Sequence, residues 1–322
     1  MTLSLERVQQ VARQTGFSVA TVEKVIHLMN LLEAIEGHPF LREKFALKGG
    51  TALNLFVFSL PRLSVDIDLN LVQPLSRDEL EAHRPKLEQA FEAVFRREGF
   101  TIRKSPTEHA GGKWRLGYPS AGGGTSNLEV DLNYVLRVPL WEPEIRDSAA
   151  LGEYGAKNVR VLSEAELAGG KLSALFSRVQ ARDLFDTHQL LTKSDLDRER
   201  LHIAFVVYGG FNRVDWRTID LDRLDLNPTD VERMLVPTVQ PSIVAEAGGA
   251  AVWIEKMISE TREGLAGLVP LSDSDLSFLD ALLGRGEIRA ELLTTDPALQ
   301  EKIRSHPMLN WKALNVHKHR GL

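Results

Sequence analysis

The sequence predicts an α+β protein, a mixed sheet flanked by helices and followed by a mostly helical C-terminal domain. Three observations carry this reading. Residues 62–69 alternate strictly, with Leu63, Val65, Ile67 and Leu69 on one face and Arg62, Ser64, Asp66 and Asp68 on the other, the period of a half-buried strand. Further extended segments, Phe100–Lys104, Lys113–Tyr118, Leu128–Val135 and Val159–Leu162, are interleaved with long helical patterns. From about Leu190 onward, helix-period segments are punctuated by Pro and Gly with no strand signal. The expected division is a helical cap over 1–40, a sheet-bearing core over 41–190 and a helical domain over 191–322.

Composition narrows the class. At 322 residues, 43% hydrophobic and 26% charged, the chain is an ordinary globular protein, long enough for one large domain or two modest ones. The absence of cysteine excludes disulfides and thiolate chemistry. No apolar run reaches the length of a membrane span, and charges stand where a signal peptide needs an apolar core, so a cytoplasmic protein with no membrane partner is expected. A net charge of −5 gives no overall attraction to nucleic acid. An RNA substrate would need a local basic face.

Taken in order, the chain opens with two helical patterns, Leu5–Thr15 and Val19–Ile35, broken at Gly16-Phe17-Ser18. The spacing resembles a helix-turn-helix, but the second helix carries Glu23, Lys24, His27 and Asn30 in place of the basic row of a DNA reader. A helical cap and a DNA-binding element are both open readings. Next, Lys48-Gly49-Gly50-Thr51 leads into a short apolar helix, Ala52–Phe58. A glycine pair at a helix start lets backbone N–H groups converge on an anion. The Asp66/Asp68 strand follows. Two carboxylates side by side on one strand face repel each other unless a cation lies between them. A cradle followed by paired carboxylates is equipment for a metal-bound nucleoside triphosphate.

Ser76 and Glu79 cap a helix to Arg97. In the strand at 128, Leu128, Val130, Leu132 and Tyr134 share one face and Glu129, Asp131 and Asn133 the other, and Pro119 to Gly124 forms a hairpin loop before it. Ser163 and Glu166 read as a second capping box, opening a helix that contains Gly169-Gly170-Lys171. Two glycines inside a helix cost about 1 kcal/mol each relative to alanine, so a close backbone approach is expected there. Lys171 offers a mobile point charge suited to a triphosphate. On a continuous helix Lys171, Arg178, Arg182 and Asp186 would share one stripe, with Asp183 off to the side.

Lys48-Gly49-Gly50-Thr51-Ala52-Leu53 and Arg62-Leu63-Ser64-Val65-Asp66-Ile67-Asp68-Leu69 resemble the signature of the AbiEii/AbiGii-type nucleotidyltransferase toxins, within the DNA-polymerase-β-like nucleotidyltransferase superfamily. Lys171-Leu-Ser-Ala-Leu, Arg178 and Arg182-Asp183-Leu-Phe-Asp186 are similar to that family's second signature. The resemblance implies a nucleotidyltransferase-like mixed sheet, and Asp131 as a third carboxylate from a neighbouring strand, with Glu129 as the alternative. It implies that Lys171 contacts the nucleotide phosphates, that Asp186 is required, and that Lys48, Arg62, Ser64 and Arg182 join Gly49, Gly50 and Thr51 in binding the nucleotide. Asp183 with Arg182 is assigned a structural ion pair holding the helix to the sheet. Asp66, Asp68 and Asp131 would hold one or two Mg²⁺ ions, with an NTP as substrate. The implied acceptor is RNA, at a tRNA 3′ end, in a toxin–antitoxin or phage-defence (abortive infection) system with a cognate antitoxin encoded nearby. The rival functions are a protein-modifying nucleotidyltransferase and a non-catalytic nucleotide- or DNA-binding regulator.

Helices are expected at Asp195–Gly209, Pro228–Leu235, Ala245–Leu268, Ser272–Gly284 and Pro297–Ser305. The tail from Trp311 to Arg320 is basic with an aromatic, and reads either as a frayed terminus or as an RNA contact. His27, His109 and His188 stand apart from one another and suggest no metal site.

Overall fold

The computed structural model describes residues 3–104, 111–224 and 226–320; His109 lies outside them. The chain forms two compact units. The first comprises Met1–Arg137, Pro143–Leu162 and Thr238–Ile243, and the second Val138–Glu142, Ser163–Pro237 and Val244–Leu322. Helices α1 (Leu5–Thr15), α2 (Val19–Glu36), α3 (Gly49–Thr51) and α4 (Arg77–Arg97) belong to the first unit. So do strands β1 (Phe45–Lys48), β2 (Asp66–Leu71), β3 (Thr101–Lys104), β4 (Gly111–Pro119), β5 (Thr125–Asn133), β6 (Glu144–Arg146) and β7 (Val159–Val161). They make one seven-stranded mixed sheet in the order β3-β4-β5-β2-β1-β7-β6. No helix among the described residues is long and apolar enough to cross a membrane.

One face of the sheet is the core. Ile67 and Leu69 of β2, Val130 and Leu132 of β5 and Trp114 and Leu116 of β4 are all buried, each side chain contributing about 1.5–3 kcal/mol. Helix α4 lays Phe91 on Phe45 and Phe95 on Trp114, with ring centroids 4.9 and 5.4 Å apart. Its capping box forms as expected on Ser76 and Glu79. Helix α2 covers the same face: His27 packs on Tyr118 with centroids 4.2 Å apart. Glu23 accepts hydrogen bonds from the Ser120 hydroxyl and the Ala121 N–H, tying down the β4–β5 loop. Val22, Val25, Ile26, Leu28 and Met29 are fully buried, so α2 is a core helix. That burial favours the helical-cap reading of this segment over the DNA-binding one.

Three local readings are corrected. The strand begins at Asp66, and residues 62–65 precede it. There Leu63 N–H bonds Thr238 O, Gln240 N–H bonds Pro61 O, and Arg62 bridges to Val239. The expected α-helix at 52–58 is a π-helical turn, Ala52–Val57, in which Phe58 N–H reaches back five residues to Leu53 O. The strand Phe45–Lys48 was not foreseen; Phe45, Ala46 and Leu47 are all buried, so no alternation marks it.

The second unit is helical: α5 (Glu164–Arg178), α6 (Ala181–Lys193), α7 (Arg198–Gly210), α8 (Pro228–Leu235), α10 (Ala250–Leu265), α11 (Asp273–Leu279), α12 (Pro297–Ser305) and α13 (Pro307–Arg320). Between α8 and α10 lies α9 (Pro241–Glu246). Gly169 of α5 packs on α7, where a Cβ would fall 2.5 Å from Ala204 Cβ. The close approach implied by that glycine is therefore helix on helix. Ser163 caps α5, but Glu166 does not return the bond as a capping box would. Its carboxylate instead accepts from Tyr208 Oη at 3.0 Å and from the Leu140 N–H. Burial pushes its pKa up to about 7. The tail is a helix anchored by buried Leu309 and Ala313, which overturns the frayed reading.

Candidate active site

The carboxylate face is built by register. β2 and β5 are parallel neighbours, pairing Asp66 with Glu129 and Asp68 with Asp131. β1 runs antiparallel on the other side of β2 and sets Lys48 opposite Asp68. β4 sets Lys113 opposite Asp131 and Arg115 opposite Glu129. Paired residues on adjacent strands project to the same side of a sheet. The side opposite the core thus carries a row Lys48, Asp68, Asp131, Lys113, and beside it a row Asp66, Glu129, Arg115. All four carboxylates are half-buried. The sequence pattern of β4 held the signal for Lys113 and Arg115, which alternate with buried Trp114 and Leu116, but only the pairing shows that they face the acids.

The cradle adjoins this row. Chain direction turns at Gly49, whose φ of +76° is left-handed. A Cβ there would lie 2.5 Å from Asp68 Oδ2, so only glycine lets the backbone pass so close to the carboxylate. Gly50 is half-buried. Thr51 is fully buried, and its hydroxyl donates to Asp66 O. That bond fastens the turn to the strand, so the threonine side chain supports the cradle and does not line it. Arg62 is 3% exposed and donates to Leu63 O. Residue 62 lies ahead of β2, outside the strand whose alternation it was expected to share. Ser64 is half-buried just ahead of the strand.

The carboxylates of this face act on one another. Burial, Asp68 and Glu129 together raise the Asp66 pKa above its ordinary value, against the opposing pull of Lys113 and Lys24. Burial lowers the Lys113 pKa, but Glu129, Asp131 and Asp66 bring it above its ordinary value. Lys113 Nζ lies 3.4 Å from Glu129 Oε2, and that lysine side chain is 55% exposed, so the pair is weak. Among the described residues no three Asp, Glu, His or Cys side chains converge as a ready-made metal cluster. The donor set nevertheless fits Mg²⁺. These are hard carboxylate oxygens in a half-buried, mutually repelling group, and a divalent cation would relieve that repulsion.

The second signature folds differently from a continuous helix. α5 ends at Arg178, Val179 takes a left-handed φ of +49°, and α6 starts at Ala181. The break brings Asp183 back onto Lys171, with Nζ to Oδ1 at 3.0 Å, and Lys171 also meets Asp186 Oδ2 at 2.9 Å. Arg178 clasps Asp183 through Nε at 2.6 Å and Nη2 at 2.9 Å. Lys171, Asp183 and Asp186 are buried. Burial raises the Asp183 pKa, but Arg178 and Lys171 outweigh it and hold the carboxyl below its ordinary value. The expected Arg182–Asp183 pair is therefore replaced by Lys171–Asp183–Arg178. Arg182 is exposed and makes no ion pair among the described residues.

Two comparisons with known proteins bear on this geometry. The family model described as Nucleotidyl transferase AbiEii toxin, Type IV TA system, matches residues 30–247. A solved structure of MenT4, a nucleotidyltransferase toxin from Mycobacterium tuberculosis H37Rv, aligns with a TM-score of 0.56 at 15% identity, covering 96% of this chain and 99% of that one. At that identity the likeness is one of fold. Comparison with curated proteins finds no match.

Proposed function

This chain belongs to the AbiEii nucleotidyltransferase toxin family of type IV toxin–antitoxin systems, and on that premise we propose that it moves a nucleoside monophosphate from an NTP to a terminal hydroxyl of RNA, with a tRNA 3′ end as acceptor. Nucleotidyl transfer and the toxin role come with the family; Mg²⁺ dependence, the RNA acceptor and a part in phage defence are our reading. A cognate antitoxin is the expected protein partner.

The observation that supports this most is the register that sets Asp131 beside Asp68, with the bare Cα of Gly49 against the Asp68 carboxylate. Asp66, Asp68 and Asp131 would hold one or two Mg²⁺ ions, whose chemistry is to neutralise the triphosphate and the departing pyrophosphate. Backbone N–H groups of Gly49 and Gly50, with Lys48 nearby, bind and orient the phosphates. The family's second signature gives Lys171 a contact with the nucleotide phosphates; within its own unit it is buried between Asp183 and Asp186. In the transfer, the acceptor oxygen bonds to the α-phosphorus and the bond to the pyrophosphate oxygen breaks. Asp131 either completes the metal site, with the acceptor's proton leaving to water, or takes that proton itself. Such chemistry rests mainly on positioning and charge neutralisation.

The test is incubation with each α-labelled NTP in turn, total RNA and Mg²⁺, resolved on a gel. Label in RNA is expected, and it should vanish with excess EDTA and in Asp66→Ala and Asp68→Ala. Label in protein alone would transfer the acceptor role to a protein hydroxyl. Undiminished labelling in EDTA would remove the metal from the reading.

A further inference from the structure

The C-terminal helix α13 is made of two unlike faces. Its inner face is anchored: Leu309 and Ala313 are buried, Lys312 Nζ donates to Asn212 O at 2.9 Å, and His317 lies so close to Gly286 that a Cβ there would meet its ring at 2.7 Å. Just ahead of it, His306 stacks on Phe211 at 5.3 Å. The outer face carries Trp311, Leu314 and Lys318, spaced i, i+3, i+7 and therefore on one stripe. Trp311 and Leu314 are 54% and 58% exposed. Trp114, Trp216 and Trp253 are buried, and Trp141 is packed under Arg200. Trp311 thus differs from the other four tryptophans in presenting its indole to water.

Charge says which kind. From Pro307 to Arg320 the sequence contains Lys312, Lys318 and Arg320 and two histidines but no acidic residue, in a chain of net charge −5. Neighbouring cations are neutralised: Arg289 and Arg304 by Glu291, and Lys302 by Glu142. Lys318 is exposed and has no ion-pair partner among the described residues. The apolar part of the stripe is only Trp311 and Leu314. That is too little for the core of a protein interface, which buries about 800 Å² per partner. One flat aromatic beside an exposed, unpaired lysine suits an unpaired base and its phosphate.

We propose that the outer stripe of α13, Trp311, Leu314 and Lys318, is a docking strip for a single-stranded segment of RNA, with a base stacked on Trp311 and a phosphate against Lys318. The inference rests on the RNA-acceptor reading and deepens it, since it names where the acceptor is held in the second unit.

The experiment measures anisotropy of a 5′-fluorescein-labelled twelve-nucleotide oligouridylate on the full-length protein, Trp311→Ala and Lys318→Glu. Both positions are exposed, and a thermal melt of each variant at the wild-type temperature confirms that the fold is kept. Trp311→Ala is expected to weaken binding by about tenfold, the scale of one lost stacked base. Lys318→Glu should reduce both affinity and its salt dependence. Quenching of indole fluorescence by the oligonucleotide, lost in Trp311→Ala, is the independent signature. Unchanged binding in both folded variants overturns the proposal, as does loss of antitoxin binding with RNA binding intact, which would make the stripe a protein-docking face. Labelling of total RNA, run in parallel, keeps the two readings apart: a wild type that labels RNA while the variants bind normally refutes the strip alone.

Discussion

Removing the Asp183 carboxylate should damage fold and chemistry together. The carboxylate is 2% exposed and holds Lys171 at 3.0 Å and Arg178 at 2.6 Å. Breaking a buried pair from one side costs about 3–5 kcal/mol when the other charge is stranded. Lys171 is not stranded, because Asp186 still meets it at 2.9 Å. The Arg178 side chain is 60% exposed, so its share is small, about 0–1 kcal/mol. The expected loss in Asp183→Ala is thus about 2–3 kcal/mol at neutral pH, which for a folding unit of this size lowers Tm by about 4–12 °C. Asp183→Asn should lie between Ala and wild type. Because the folded carboxyl titrates below its unfolded value of 3.8, its stabilisation is fully present above that pH and disappears as pH falls through the lower folded value. The gap between wild type and Asp183→Ala should therefore narrow in acid. Melts at pH 7 and pH 3, paired with nucleotide-labelling curves, test this. Identical Tm values for wild type and Asp183→Ala at pH 7 would refute the reasoning, since a buried two-cation clasp without energetic consequence contradicts the geometry. A fall in Tm with wild-type nucleotide affinity would leave Asp183 a purely structural role and free Lys171 from dependence on it.

Two further outcomes follow from the same structure. Gly49→Ala should abolish labelling while the protein stays folded, because its Cβ would sit 2.5 Å from Asp68 Oδ2 at a φ of +76°; circular dichroism beside the labelling gel checks it, and full activity would show that the turn can move aside. Glu166, with a folded pKa of about 7 against 4.5, contributes stability that is complete below pH 4.5 and lost as pH rises to about 7. Glu166→Gln should flatten that decline and be more stable than wild type at pH 8, by about 3 kcal/mol. Parallel pH–Tm profiles for the two proteins would show that the carboxyl does not titrate in this range.

Much of the fold was legible because burial on one side of a strand imposes a period on the sequence. The Asp66 strand, the Glu129/Asp131 strand and the capped helix at Ser76 all announced themselves in this way. Phe45–Lys48 did not, since a strand buried on both sides loses its alternation. The start of the Asp66 strand was read too early because alternation continues in sequence past the point where pairing stops. Asp183 was misread because the stripe argument assumes one helix axis, and a left-handed Val179 changes the axis. No composition signal marks that residue, as β-branched side chains rarely adopt such a backbone. The partner of Glu166 was equally hidden: Ser-x-x-Glu reads as a capping box, whereas Tyr208 and Leu140 are distant in sequence. The site divides along the same line. Local spacing singled out the candidate carboxylates and glycines, whereas Lys113 beside the acids and, in the second unit, the clasp on Lys171 depend on long-range pairing.

The segment Thr238–Ile243 has a consequence for biosynthesis. It belongs to the first unit, and its backbone pins Pro61 and Leu63 immediately ahead of the carboxylate strand. A ribosome making this chain therefore delivers the strand, the cradle and every other piece of the sheet long before it delivers the residues that fasten Asp66's approach. During that interval the unit is unfinished and the nascent enzyme is held incomplete. The order of synthesis thus leaves the first unit open until most of the polypeptide exists, and a message truncated before residue 238 encodes the seven strands without the segment that closes their unit.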